Sequence, residues 1–122
     1  MKDFRDLKVW TKAHQLALEC YTLTTNFPKH EIFGIVSQIR RAASSVGANI
    51  AEGCGRSTNN GEFHRFLLMA MGSASELENH LLLAKDLHFL EEPSHRAIES
   101  KLIETKKMLA ALIKKVEADR RQ

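Results

Sequence analysis

The side chains best equipped for chemistry are few, and their spacing decides which chemistry is open to them. Glu76 and His80 stand four residues apart, one helical turn, where a carboxylate and an imidazole either share a metal or hydrogen-bond to each other. A di-metal helical bundle needs inward glutamates on two helices and a Glu-x-x-His pair on each of the others. Here the only Glu-x-x-His is Glu92 to His95, and Pro93 interrupts it. His14, His30, His64 and His88 are scattered, and no Gly-x-Ser-x-Gly elbow or local Cys/His pair is present. Cys20 and Cys54 lack the companions of a zinc site or a disulfide framework, so they read as small buried thiols in a reducing compartment. No cofactor and no enzymatic activity are expected, and a metal-binding or catalytic bundle is the least supported reading.

One loop, GCGRSTNNGEF, is glycine-rich enough to suggest a phosphate cradle. It lacks the lysine and the spacing of a P-loop, and no strand precedes it. Two readings fit its residues. In one, Gly53 or Gly55 ends a helix, and Asn59 with Glu62 has the capping spacing that starts the next. In the other, Arg56 and the helix amides hold an anion.

The stretch QIRRAASSVGANIAEG is harder to explain. Its apolar positions Ile39, Ala43, Val46 and Ile50 form one helical stripe, while Arg40, Arg41, Asn49 and Glu52 lie off it among alanines, serines and glycines. Small residues on nearly every side let other backbones approach from several directions. A second covered side suggests another subunit, with Arg40, Arg41, Asn49 and Glu52 as interface or buried polar groups. Tight packing within one chain, with the charges solvated, is the alternative.

Charge is also unevenly placed. Residues 59–95 hold two basic and six acidic side chains, whereas residues 96–122 hold eight basic and four acidic ones, although the net charge of the chain is only +3. Lys106, Lys107, Lys114, Lys115, Arg120 and Arg121 fall outside the apolar stripe of Leu102, Leu109, Leu112 and Val116, and are expected to face solvent. They form either a basic strip for RNA or DNA phosphates or the solvated, helix-attracting face of an ordinary amphipathic segment.

Positioning these groups falls to four long helical segments, over about residues 7–25, 29–53, 60–87 and 94–118, with no sustained period-two alternation between them. Asp6 can cap the first, Pro28 can open the second, Asn59 can cap the third and Pro93 can open the fourth. Inward positions are Trp10, Ala13, Leu16, Ala17, Cys20 and Leu23, then Ile32 and Val36 ahead of the stripe already named. Phe63, Phe66, Ala70, Ala74, Leu77, Leu81 and Ala84 follow, then Ile98 with the fourth segment's stripe. Short connections fold such helices antiparallel, so the expected class is all-α, an up-down-up-down four-helix bundle in one domain spanning residues 1–122. The opening MKDFRDLKVW carries charge where a signal peptide needs an apolar run, and the most apolar window is broken by Glu76, Glu78 and His80. A cytoplasmic protein with no membrane partner is expected.

Three segments, FRDLKVWTKA, NFPKHEIFGIVSQIRRAASSVGANIAEG and EFHRFLLMAMGSASELENHLLLAKDL, together resemble the bacterial four helix bundle protein family, also called the large-subunit ribosomal RNA intervening-sequence protein family. That resemblance runs from about Phe4 to the middle of the fourth helix. It implies the same antiparallel bundle, assembly into pentameric rings, and kinship with the accessory variability protein of diversity-generating retroelements, a basic bundle that works with a reverse transcriptase and RNA. The chain departs from the family pattern at Gly47, where a proline is expected, and at Ile35, where a leucine is expected. The family name records gene location and implies no biochemical activity. The function expected is therefore that of a non-enzymatic homo-oligomer, a pentamer favoured, associated with nucleic acid or serving as a scaffold. The alternative is an adaptor that recruits a protein such as a polymerase without touching RNA.

Overall fold

A computed structural model describes residues 3–56 and 59–120. Four helices carry it: α1, Lys8–Thr24; α2, Ile35–Arg56; α3, Asn60–Asp86; and α4, Glu92–Arg120. Single 3-10 turns at Phe4–Asp6 and Lys29–Glu31 precede α1 and α2, and the described residues contain no strand. Each helix packs on its chain neighbours and α1 also packs on α4, while the diagonal pairs α1/α3 and α2/α4 stay apart. That is the square cross-section of a four-helix bundle with short connections.

Apolar periodicity decides what is buried. Every inward position read for α3, from Phe63 to Ala84, is buried, as are Ile98, Leu102, Leu109 and Val116 of α4. In α1, Ala13, Leu16 and Cys20 are buried, joined by Val9, while Trp10, Ala17 and Leu23 pack against the core only in part. Burial in this apolar setting pushes the Cys20 thiol up to about 12, with the Glu19 carboxylate adding to the shift. The thiol is therefore neutral and inert in the folded chain.

Helix boundaries depart from the sequence reading at three places, each for a local reason. Asp6 does not cap α1: Asp3 caps the preceding 3-10 turn by accepting from the Arg5 amide, and Leu7, extended, stands at the α1 N-cap without a side-chain cap bond. The second helix does not begin near residue 29. Lys29–Glu31 make one 3-10 turn behind Pro28, the Gly34 amide closes onto the Glu31 carbonyl, and the α-helix starts at Ile35. Ile32, expected to face inward, is consequently exposed with its neighbour Phe33. Neither Gly53 nor Gly55 ends α2, which continues to Arg56. A Cβ at Gly53 would lie 2.9 Å from the Phe66 Cβ and 3.1 Å from Phe63 Cδ1, so this glycine serves a close approach of α2 to α3.

Caps elsewhere follow composition. Asn59 caps α3, its side chain accepting from the Glu62 amide at 3.0 Å. At the other end His88 takes a left-handed conformation, φ 63°, and the Phe89 and His88 amides bond back to the Ala84 and Lys85 carbonyls. This is the double bond of a Schellman turn, with histidine where glycine is usual. It drops Phe89 against Phe27, ring centroids 5.9 Å apart, closing the end of the bundle where α1 meets α2. The α1/α4 seam is the slightest of the four and is bridged by two ion pairs, Lys12–Glu104 at 2.8 Å and Lys101–Glu19, over a gap of about 430 Å³ floored by Leu16 and Thr105.

Two alanine substitutions separate helix propensity from close packing. Gly72, mid-α3 with nothing within 4 Å of an added Cβ, should gain about 0.5–1 kcal/mol as Gly72→Ala. Gly53→Ala should instead lose about 1–3 kcal/mol, because the obstructing atoms, the Phe66 Cβ and a Phe63 ring carbon, belong to packed phenylalanines on α3. Urea unfolding followed by circular dichroism reads both. Equal gains would show that Gly53 does not set the α2/α3 distance.

Candidate nucleic-acid and subunit interface

The small residues of α2 are used by two neighbours at once. On the α1 side, Gly47 admits the Trp10 indole, whose Nε1 would lie 3.4 Å from an added Cβ. On the α3 side, the Ser45 hydroxyl meets the Ser73 hydroxyl at 2.9 Å, and Gly53 meets Phe66. The helix is continuous through Gly47.

The four polar residues singled out on this helix part company. Arg40 turns to α1: its Nε donates to Thr24 Oγ1 at 2.9 Å, its Nη2 to the Tyr21 carbonyl at 3.3 Å, and its guanidinium lies over the Tyr21 ring. A cation there stabilises the last turn of α1 through both hydrogen bonds and the helix dipole. Arg41, Asn49 and Glu52 lie along the outer edge of the α2/α3 seam. Arg41, with 68% of its side chain exposed, reaches Glu76 of α3 at 3.6 Å, and Glu76 also pairs with His80 at 3.1 Å. Asn49 is half-buried and donates to the Ser45 carbonyl at 2.9 Å. Glu52, 49% exposed, pairs with Arg56 at 3.1 Å. Within a single chain Arg41 and Glu52 are thus solvent-facing, and Glu76 with His80 forms the hydrogen-bonded helix pair, joined by an arginine the sequence spacing could not reveal.

Arg56, read as the loop's anion candidate, also lies 5.6 Å from the Phe66 ring centroid. Residues 57 and 58 of that loop lie outside the described residues. Among the described residues no three His, Cys, Asp or Glu side chains converge as a metal site would require. None of their helices is long and apolar enough to cross a membrane.

The basic residues of α4 divide along its length. Lys106 is not solvent-facing as expected: its stem lies against α3, half-buried, and its ammonium pairs with Glu78 at 2.8 Å. Arg120 is exposed and its Nη1 lies 3.4 Å from His64 Nδ1. Arg121 lies outside the described residues. Lys107, Lys114 and Lys115 are exposed, with no carboxylate in ion-pair range among the described residues. Seven residues, about 10.5 Å of helix, separate Lys107 from Lys114.

An apolar groove of about 370 Å³ runs between α1 and α2, walled by Trp10, Leu18 and Tyr21 and floored by Gly47, Ala48 and Ala51. Trp10 is braced in it edge-on by Phe4, centroids 4.9 Å apart, and stacked by His14 at 4.7 Å. Sequence reading found the small floor but missed the groove, because the aromatic wall comes from a different helix.

With this architecture, the profile of the 23S rRNA-intervening sequence proteins matches residues 5–111, most of the chain. The chain belongs to that family. It is also similar to the crystal structure of a protein with unknown function from the S23 ribosomal protein family of Bacteroides thetaiotaomicron, with 27% identity and a TM-score of 0.77. That likeness covers 87% of this chain and 98% of the other. Among curated proteins no match is found. In this member of the intervening-sequence family the match ends within α4, so Lys114, Lys115 and Arg120 lie beyond it.

The division between Arg40 and Glu52 is measurable. Arg40→Ala should cost about 1–2 kcal/mol, since it removes charge-assisted hydrogen bonds at a helix end and uncovers Thr24, which is buried. Glu52→Ala, breaking an exposed i,i+4 pair, should stay within about 0.5 kcal/mol. Thermal melts of dilute protein compare them; a loss at Glu52 as large as at Arg40 would mean Glu52 is buried by something in solution.

Proposed function

We propose that this protein is a non-enzymatic, cytoplasmic component that assembles with copies of itself, a pentamer favoured, and associates with RNA through the outer face of α4. The observation that carries the reading is the set of exposed lysines, Lys107, Lys114 and Lys115, with no acidic partner among the described residues, on a helix whose other basic residues are largely paired. Three ammonium groups on one chain make a weak site. Several copies in one assembly multiply it through effective concentration. Such a site recognises phosphate and not base edges, so DNA competes as a backbone ligand and discrimination by sequence is not expected.

A second reading, an adaptor that recruits a protein such as a polymerase without direct RNA contact, is favoured by the outer face of α3. Leu68, Met69, Leu82 and Leu83 are exposed there, and on the outermost line of that face only Gly72, Ser75 and Asn79 lie between Leu68 and Leu82.

Fluorescence titration of labelled single-stranded RNA at about 50 and 200 mM salt separates the two readings. About five phosphate contacts per assembly, each contributing a slope near 0.7, predict roughly a hundredfold loss of affinity across that range. Lys114→Glu with Lys115→Glu should abolish binding at the lower salt. No binding by the parent protein, or no change in the double variant, leaves the adaptor reading in front. Light scattering at micromolar concentration tests assembly separately, and a monomer mass rejects it.

A further inference from the structure

Two apolar features are left open among the described residues, a protruding side chain and a groove. One is a knob: Phe33, 94% exposed, stands in the turn before α2 with Ile32 exposed beside it. The other is the α1/α2 groove of about 370 Å³, whose floor of Gly47, Ala48 and Ala51 leaves the Trp10 ring as its back wall. Phe33 does not reach the Ala48 floor of its own chain's groove, because Ala48 lies about 20 Å along α2 from the start of the helix that Phe33 precedes. An almost fully exposed phenylalanine and an open apolar groove on one molecule are each costly in water, and pairing them removes both surfaces from solvent.

We propose that Phe33 of one copy seats in the Trp10–Ala48 groove of the next. This specifies the contact for the self-assembly part of the proposed function and rests on that part alone. Such a contact is heterologous: each copy offers a knob from one surface and a groove from another, so the arrangement propagates from copy to copy and closes as a ring when the rotation permits. A buried phenylalanine removes about 150–250 Å² from water, against the roughly 800 Å² per partner of a stable interface. The ring is therefore an anchor, and the exposed Ile32 beside it with Leu18 and Tyr21 on the groove's rim supply neighbouring apolar area. A second copy is the occupant that accounts for both features at once, whereas an unrelated partner would fill one and leave the other in water.

The test uses two variants at exposed positions, which leave the core untouched. Phe33→Glu destroys the knob and keeps the groove, and Ala48→Phe fills the groove and keeps the knob. Each alone should be monomeric by light scattering at concentrations where the parent assembles, with the assembly midpoint raised at least about thirtyfold, as for loss of an anchor residue. Mixed one to one, they should form a dimer and nothing larger, since only one intact knob and one intact groove remain per pair. Variants that assemble like the parent overturn the contact while leaving self-assembly standing; a parent that is itself monomeric removes self-assembly and the contact with it. Trp10, the only tryptophan, gives an independent reading on the unmodified protein. Its emission should move to longer wavelength as dilution takes the parent through its assembly midpoint, and emission constant through that transition shows that nothing covers the groove.

Discussion

The close approach of α2 to α3 is the constraint on which the other contacts depend. At Gly53 the two backbones are near enough that a methyl group would collide with Phe66, and about two turns toward the bundle centre the Ser45 and Ser73 hydroxyls share a hydrogen bond. Polar groups leaving water need partners, and here the two half-buried serines satisfy each other. With α3 drawn in this far, α2 presents a wide buried arc, from Ala42 through Val46 to Gly47, in place of the narrow stripe typical of a surface helix. On the side toward α1 it keeps Gly47, Ala48 and Ala51, the floor of the groove.

Much of the fold was legible because burial in a bundle is periodic. The seam from Phe63 to Ala84 repeats so regularly that every inward position read from it is buried. The Asn59 cap was visible for the same kind of local reason, a side chain bonding an amide three residues on. What escaped notice was non-local or ambiguous. Pro28-Lys-His-Glu is as compatible with an α-helix as with the single 3-10 turn it forms, and that ambiguity hid the exposure of Ile32 and Phe33. Arg40 and Arg41 are adjacent and chemically identical, yet one is tied to Thr24 on α1 and the other to Glu76 on α3. Only the packing of three helices separates them. Lys106 and Lys107 are a second such pair, one paired with Glu78 and half-buried, the other free in solvent.

The surfaces proposed for function lie on different sides of the bundle. Lys107, Lys114 and Lys115 belong to α4, while the groove lies between α1 and α2, and none of the three lysines lines it. A symmetric assembly then repeats the basic face at fixed intervals, and a long polyanion can lie across several copies. The family relationship supplies the fold and not the ligand; the charge pattern supports the ligand class.

The four seams of the bundle are not fastened alike. Three have rings, methyl groups or hydroxyls in contact beside whatever polar link they carry, Arg41–Glu76 between α2 and α3 and Lys106–Glu78 between α3 and α4. The fourth, between α1 and α4, is bridged across a gap by Lys12–Glu104 and Lys101–Glu19, two pairs of opposite polarity. Such exposed pairs are individually worth about 0.2–1 kcal/mol and fade as ions crowd within the screening length. The molecule therefore has a grain, like wood: concentrated electrolyte takes the largest share of its fastening from one side. That side is the α1/α4 seam, and Leu16 is the core side chain at its floor.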